Sequence, residues 1–187
     1  MTILLGLYRI DNTVAYPTFG TTLSTCFDLR YHPTNANKIQ GYTEYNDQID
    51  RQIHEDGSVD ICPGDRMLIP TGVIFKIIDA PPSKVSDVCP IPTNKKVFSI
   101  RLHPRSGMAL KSGLVLANAE GIVDIDYQKQ VFVIVHNISR VRQKIMSGER
   151  IAQAEILKNE QFMMTEFTVE PSGHSERSGG FGSTGKN

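Results

Sequence analysis

Arg66-Met-Leu-Ile-Pro-Thr-Gly-Val-Ile-Phe-Lys-Ile-Ile78 contains two short apolar runs on either side of the turn pair Thr71-Gly72. Both runs are rich in β-branched or other bulky apolar residues, which is typical of strands. Similar runs occur at residues 97–102 and 130–136, and further turn pairs occur at Pro63-Gly64 and Ser147-Gly148. The sequence therefore predicts an all-β domain, a sandwich or barrel of many short strands.

Two stretches interrupt this pattern. Residues 33–58 are polar, and residues 80–96 carry four prolines. We predict both as long surface loops inserted into the β framework, although residues 48–55 are weakly helical in pattern. Residues 1–170 then form one domain, and the Gly/Ser-rich residues 171–187 form a flexible C-terminal arm.

The composition limits the classes of partner. Twenty basic and twenty acidic side chains cancel, so no global field draws the chain to nucleic acid or to a membrane surface. Three widely spaced cysteines without a CxxC pair argue against a disulfide framework and a zinc site, and they favour a reducing, cytoplasmic compartment. The apolar run at residues 3–7 is too short for a leader or a span, so we expect a soluble protein without a membrane partner.

The densest site signal is Gly121-Ile-Val-Asp-Ile-Asp-Tyr127. In an extended strand alternate residues share a face, so Asp124 and Asp126 would point one way and Val123 and Tyr127 the other. One of these carboxylates could act as a general base. Two solvated aspartates opposite a core face remain the alternative.

Three more segments carry groups that suit an anion. Pro104-Arg-Ser-Gly-Met-Ala-Leu-Lys-Ser-Gly113 combines an arginine fork with serine hydroxyls, which can bind phosphate oxygens, or it is an ordinary basic turn. Gly148-Glu-Arg-Ile-Ala-Gln153 places Arg150 and Gln153 beside a turn. The terminal Gly179-Gly-Phe-Gly-Ser-Thr-Gly185 nearly matches a phosphate loop but lacks the helix that such a loop requires, so it could wrap a polyphosphate only as a free arm.

Taken together, these segments resemble a known family. In order, Asp28-Leu29, PRSGMALKSG, GIVDIDY, GERIAQ and the terminal GGFGSTG are similar to the five signature motifs of the homotrimeric dUTPases. The resemblance also includes Pro63-Gly64 and Leu68-Ile-Pro-Thr-Gly72, and it covers most of the chain outside the two insertions.

The resemblance implies a jelly-roll-like β fold, a homotrimer with shared active sites, and hydrolysis of dUTP to dUMP and pyrophosphate. Mg²⁺ would be carried by the triphosphate, without a metal ligand from the protein. The catalytic residues would be Asp124, which activates the attacking water, Gln153, which orients that water, and Asp28, which touches the metal shell only indirectly. The implied substrate-binding residues are Arg105, Ser106, Gly107, Asn118, Gly121, Ile122, Val123, Tyr127, Arg150, Arg177, Phe181, Gly182, Ser183 and Thr184.

The sequence departs from the family pattern at three places. Thr25 and Cys26 stand where the family has Ala-Gly, and Lys129 stands where it has glycine. The arginine expected five places before Phe181 is replaced by Glu176, with Arg177 one step closer.

The sequence leaves two other functions open. A dCTP deaminase or bifunctional relative would use a glutamate base, for which Glu120 is the nearby candidate. A dUTPase-like protein could also have a regulatory role in which the inserted loops bind a protein partner.

Overall fold

The computed structural model describes residues 4–33, 37–78 and 97–160, together with Thr168. In this part of the chain the strands are β1 (Leu4–Arg9), β2 (Thr18–Phe19), β3 (Phe27–Arg30), β4 (Lys38–Tyr42), β5 (Gln48–Gln52), β6 (Val59–Ile61), β7 (Arg66–Pro70), β8 (Val73–Ile78), β9 (Val97–His103), β10 (Leu114–Leu116), β11 (Gly121–Asp124), β12 (Phe132–Asn137), β13 (Gln143–Ile145) and β14 (Arg150–Asn159). One helix, α1 (Ser106–Ser112), follows β9. The all-β prediction is confirmed.

Two five-stranded sheets build the domain. The first sheet has the order β10-β12-β7-β4-β5, and the second has the order β11-β9-β14-β3-β2. Two-stranded pairings of β1 with β8 and of β13 with β6 complete the described part. Because the two large sheets are not hydrogen-bonded to each other, the arrangement is an antiparallel sandwich of the predicted jelly-roll-like class rather than a closed barrel.

The core lies between the inward faces of these sheets. In the first sheet Met67 and Ile69 on β7 pair with Val135 and Val133 on β12, and all four side chains are buried. In the second sheet the buried inward-facing residues include Phe27, Leu29, Ile100, Leu102, Val123, Ala152 and Ala154. Alternate residues of the strands therefore point into one apolar cluster, and most of the intervening residues form the two outer faces.

The predicted turn pairs are confirmed as turns. Gly64, Gly72 and Gly148 all have positive φ, which a side chain with a Cβ adopts only at a cost. At the turn between β7 and β8, the Thr71 hydroxyl donates to the Val131 carbonyl oxygen at 2.6 Å. This contact ties the turn to the segment that leads into β12.

The prediction of a surface loop at residues 33–58 is wrong. This stretch contains β4 and β5, which pair with each other, and β4 adds to the edge of the first sheet through its pairing with β7. The weak helical pattern at residues 48–55 is likewise contradicted by β5. Polar residues outnumber apolar ones here because an edge hairpin buries few of its side chains, of which Ile39 is one.

Residues 80–96 and 171–187, predicted as an inserted loop and a flexible arm, lie outside the described residues. No helix in the described ranges is long and apolar enough to cross a membrane.

Gly41 allows β4 to approach β7 closely. A Cβ at this position would clash with the Met67 sulfur and the Arg66 carbonyl oxygen, and a backbone oxygen cannot rotate away. We therefore expect Gly41→Ala to lower the free energy of unfolding by about 2 kcal/mol, the usual cost of overpacking, in urea denaturation at fixed protein concentration. Gly20→Ala is the control, because its Cβ would meet Ser24 Oγ at an ordinary 3.6 Å; equal midpoints for both variants would contradict the prediction.

Candidate functional site

The outer face of the second sheet carries the polar side chains that the core excludes. On β14, Ala152 and Ala154 are buried. The alternate residues Gln153 and Glu155 point outward and are partly exposed. The register places Gln153 across from Asp28 on β3 and across from His103 on β9. Residues distant in sequence thus meet on one rigid surface.

Asp28 organises the first part of the site. Its side chain is 11% exposed, and its two carboxylate oxygens accept separate hydrogen bonds from Arg105 Nε at 3.0 Å and Arg150 Nη1 at 3.1 Å. One nearly buried carboxylate therefore orients two guanidinium groups, which keep their remaining N–H donors for another anion.

A cavity of about 310 Å³ opens beside this ion-paired group. Its lining residues are Gly20, Ser24, Thr25, Cys26, Asp28, Arg105, Arg150 and Gln153. Gln153 Nε2 donates to the Pro104 carbonyl oxygen at 3.0 Å, which fixes its amide oxygen as the free acceptor. We call this cavity the arginine pocket.

Ser106 and Gly107 begin helix α1, next to Arg105 at its N-cap position. This helix was not predicted from the sequence, in which the segment suited an anion or an ordinary basic turn. Gly107 is exposed and has open space around its Cα, so the backbone can approach a ligand closely here.

A second cavity, of about 410 Å³, lies along β11. We call it the β11 pocket. Its lining includes Asn118, Gly121, Ile122, Val123, Asp124 and Tyr127. These residues are six of the predicted site residues, and the structure brings them together.

The turn after β11 differs from the predicted extended strand. The strand ends at Asp124, and Tyr127 N–H donates to the Asp124 carbonyl oxygen at 3.1 Å. The expectation that Asp124 and Asp126 share a strand face is therefore wrong, because the chain turns between them. The turn orients Tyr127 instead: its hydroxyl donates to the Gln130 carbonyl oxygen at 2.9 Å, and Lys129, which replaces the glycine of the family pattern, is exposed.

The two pockets are separate within one chain. Asp124 pairs with Ser99 on one side of β9, and Gln153 pairs with His103 on the other side. With a rise of about 3.4 Å per residue and a strand spacing of about 4.8 Å, their Cα atoms lie roughly 16 Å apart. No residue is common to the linings given above, so the two cavities are distinct.

Sequence reasoning missed a cluster beside the arginine pocket. Ligand atoms of Cys26, His103 and Glu155 all lie within 4.8 Å of one another. Burial raises the pKa of the Cys26 thiol, and the negative charges of Glu155 and Asp28 raise it further. The strand period of two was the signal that could have placed His103 and Glu155 on the outer face. His103 is two residues from Arg101 on β9, and Glu155 is two residues from Gln153 on β14.

Known proteins match both the sequence and the fold. The dUTPase family model matches residues 82–185. The deoxyuridine 5'-triphosphate nucleotidohydrolase of Caulobacter vibrioides is 32% identical over 170 residues, which cover 90% of this chain and 84% of the relative. That of Neorickettsia sennetsu is 35% identical over 131 residues, which cover 70% of this chain and 75% of the relative. The chain belongs to the dUTPase family.

Solved dUTPase structures share the fold at lower identity. A Staphylococcus bacteriophage 80alpha dUTPase mutant with dUpNHpp aligns at a TM-score of 0.67 and 16% identity, over 98% of this chain and 99% of that chain. The Streptococcus mutans dUTPase aligns at a TM-score of 0.55 and 20% identity, over 87% of this chain and 99% of that chain. These likenesses support the jelly-roll-like architecture.

The described part of this dUTPase holds four of its five motifs. Asp28, Arg105, Ser106, Arg150 and Gln153 lie around or beside the arginine pocket, and the third motif lines the β11 pocket. The predicted contacts of Arg177, Phe181, Gly182, Ser183 and Thr184 fall outside the described residues.

Removal of the Asp28 charge tests whether the ion pairs of Asp28 with the two arginines stabilise the protein. Breaking a fully buried ion pair costs about 3–5 kcal/mol. The cost is smaller for the Asp28–Arg150 pair, because the Arg150 side chain is 44% exposed. We therefore expect Asp28→Asn to lower the free energy of unfolding by about 2 kcal/mol. Asp50→Asn is the matched control, because Asp50 pairs with Lys38 at an exposed position. Equal losses in urea denaturation at one protein concentration would show that the two arginines do not depend on Asp28.

Proposed function

We propose that this dUTPase hydrolyses dUTP to dUMP and pyrophosphate, with Asp124 of one subunit acting across an interface on a substrate held by the arginine pocket of another. Water attacks the α-phosphorus, the bond from that phosphorus to the bridging oxygen breaks, and pyrophosphate leaves. Family membership supports the reaction, and the separation of the two pockets within one chain supports the shared site.

The arginine pocket suits the triphosphate. Arg105 and Arg150 retain donors after pairing with Asp28 and can brace phosphate oxygens as negative charge shifts to the leaving group. Ser106 and the backbone at Gly107 adjoin Arg105 and would add hydrogen bonds to the same oxygens. Positioning and electrostatic stabilisation supply most of the catalysis in phosphoryl transfer.

Asp124 is the proposed general base. Its side chain is exposed at the end of β11, so it is accessible to a water and to a neighbouring subunit. Gln153 presents a free amide oxygen, because its Nε2 is held by Pro104, and this oxygen can orient the attacking water. A base acts only within hydrogen-bond reach of the proton that it removes, and the roughly 16 Å between the Cα atoms of Asp124 and Gln153 exceeds that reach.

A homotrimer with shared sites would join the two half-sites. In a closed ring each β11 pocket faces the arginine pocket of the next subunit, so three complete sites form from three chains. The C-terminal residues 171–187 would then close over the nucleotide, with Phe181 stacked on uracil and Arg177, Ser183 and Thr184 on the terminal phosphate. This part of the proposal rests on the motif alone.

Mg²⁺ fits this site as an ion carried by the substrate. Both oxygens of Asp28 already accept hydrogen bonds from arginines, and the positive charge of the two guanidinium groups disfavours a cation bound directly to this carboxylate. A hard cation that retains much of its water would be held by triphosphate oxygens, where it neutralises charge. Asp28 would act on it only through the two guanidinium groups.

The β11 pocket suits the nucleoside. Asn118 lies in the turn before β11, where Ala119 has φ of 56° and Glu120 N–H donates to the Asn118 carbonyl oxygen. This tight turn exposes backbone groups and the Asn118 amide for the uracil edge. The Tyr127 ring, fixed by its bond to Gln130, would lie against the deoxyribose where a 2′-hydroxyl would extend.

Mixed trimers test both the base and the shared site. We expect Asp124→Asn and Gln153→Ala each to lose at least about 100-fold in kcat, with dUTP binding retained in Asp124→Asn. Co-expression of the two variants in equal amounts should restore about a quarter of wild-type activity, because one interface in four then pairs an intact Asp124 with an intact Gln153. Asp126→Asn, at the exposed neighbour, is the control and should stay active; an inactive mixture would refute the shared site.

Tyr127 sets the preference for deoxyribose. We expect Tyr127→Ala to lower the ratio of kcat/KM with dUTP to kcat/KM with UTP, because removal of the ring removes the obstacle to a 2′-hydroxyl. Tyr127→Phe is the control, since it keeps the ring and loses only the bond to Gln130. An unchanged ratio in Tyr127→Ala would overturn the steric assignment.

A further inference from the structure

We propose that Cys26, His103 and Glu155 form a binding site for one transition-metal ion of the zinc class, with its fourth position open to water. Their ligand atoms all lie within 4.8 Å of one another. This site is distinct from the Mg²⁺ that the triphosphate carries, and it does not depend on the proposed hydrolysis.

The sheet fixes the positions of the three side chains. Ala154 pairs with Phe27 at the start of β3. Cys26 immediately precedes this strand, so continuation of the register places it across from Glu155 on the outer side. Glu155 also pairs with Arg101 on β9, and His103 is two residues further along that strand, which makes it a diagonal neighbour of Glu155. Because β9, β14 and β3 are adjacent in one sheet, the cluster is preorganised by the backbone.

The spacing is close to what a tetrahedral ion requires. Metal bonds of about 2.0–2.1 Å to nitrogen and oxygen and 2.3 Å to sulfur set ligand atoms about 3.4–3.6 Å apart. His103 Nε2 and Glu155 Oε1 are 3.0 Å apart, so a bound ion would increase this distance slightly. The Cys26 sulfur lies no more than 4.8 Å from either of the other ligand atoms, so a tetrahedral ion requires it to approach them by at most about 1.4 Å.

The other nitrogen of His103 lies near a second carboxylate. Its Nδ1 is 3.8 Å from Glu120 Oε1, which is longer than a hydrogen bond, and Glu120 is itself held by Arg101 at 3.0 Å. A histidine that binds a metal through one ring nitrogen usually donates the other N–H to a carboxylate, which fixes the tautomer. A hydrogen-bonded His103–Glu155 pair alone would need neither this carboxylate nor the Cys26 thiol.

The ligand types select the ion. Sulfur, imidazole nitrogen and carboxylate oxygen suit zinc and its neighbours, whereas Mg²⁺ prefers six oxygen ligands. The side chains of His103 and Glu155 are 28% and 21% exposed, so an ion can enter from solvent and keep a water. Cys26 also lines the arginine pocket, which places the ion beside the proposed catalytic site.

Spectroscopic titration of the full chain tests the site. We expect Co²⁺, added to chelator-treated protein, to give a thiolate-to-cobalt absorption band that saturates at one ion per chain. Zn²⁺ should abolish the band, and a large excess of Mg²⁺ should leave it unchanged. Cys26→Ser should lose the band, and His103→Gln and Glu155→Gln should each weaken Co²⁺ binding at least about 10-fold, whereas Cys62→Ser and His54→Gln should retain it.

Thiol protection in the unmutated protein avoids any effect of substitution on folding. Zn²⁺ should slow alkylation of Cys26 at least about 10-fold, measured by mass spectrometry of its peptide, and should leave Cys62 unaffected. Equal alkylation of Cys26 with and without Zn²⁺ would overturn the proposal. A cobalt band that persists in Cys26→Ser, or that vanishes only on substitution of Cys62 or Cys89, would overturn it as well.

Discussion

The register of β14 between β9 and β3 is the constraint on which the rest of the site depends. It buries Ala152 and Ala154 and thereby turns Gln153 and Glu155 outward. A slip of one residue would exchange the two faces and place polar side chains in the core. The same hydrogen bonds that stabilise the sandwich therefore set the geometry of the arginine pocket and of the Cys26 cluster.

The motifs allowed most residues of the candidate site to be predicted from sequence, because each motif is a short segment whose local structure limits what its side chains can contact. Asp28, Arg105, Arg150 and Gln153 were each singled out, and the structure brings them together around one cavity. What sequence could not give is the arrangement between motifs. Nothing in the spacing of Asp124 and Gln153 indicates that β9 separates them, since that distance is a property of the sheet order.

Two of the errors in prediction have a common cause. Residues 33–58 and the stretch after Asp124 were judged by local pattern, whereas tertiary pairing determines their structure. The edge hairpin of β4 and β5 is polar because only one of its faces contacts the core. Gly41 is disfavoured in strands by propensity, although the close contact between β4 and β7 requires a glycine at this position. The turn at residues 125–126 ends a strand whose alternation continues in the sequence through Asp126.

Charge balance supports the proposal that the arginine pocket does not bind the triphosphate alone. Two guanidinium groups and one carboxylate leave one net positive charge, whereas a triphosphate carries about four negative charges near neutral pH. Arg101 contributes little to this balance, because it is paired with Glu120. A divalent cation on the triphosphate would reduce the remaining excess of about three negative charges to about one, and further positive charge from outside the pocket would neutralise it. In the motif pattern Arg177 is one residue that would supply such charge, so charge balance supports the proposed Mg²⁺ and the proposed contribution of the C-terminal segment.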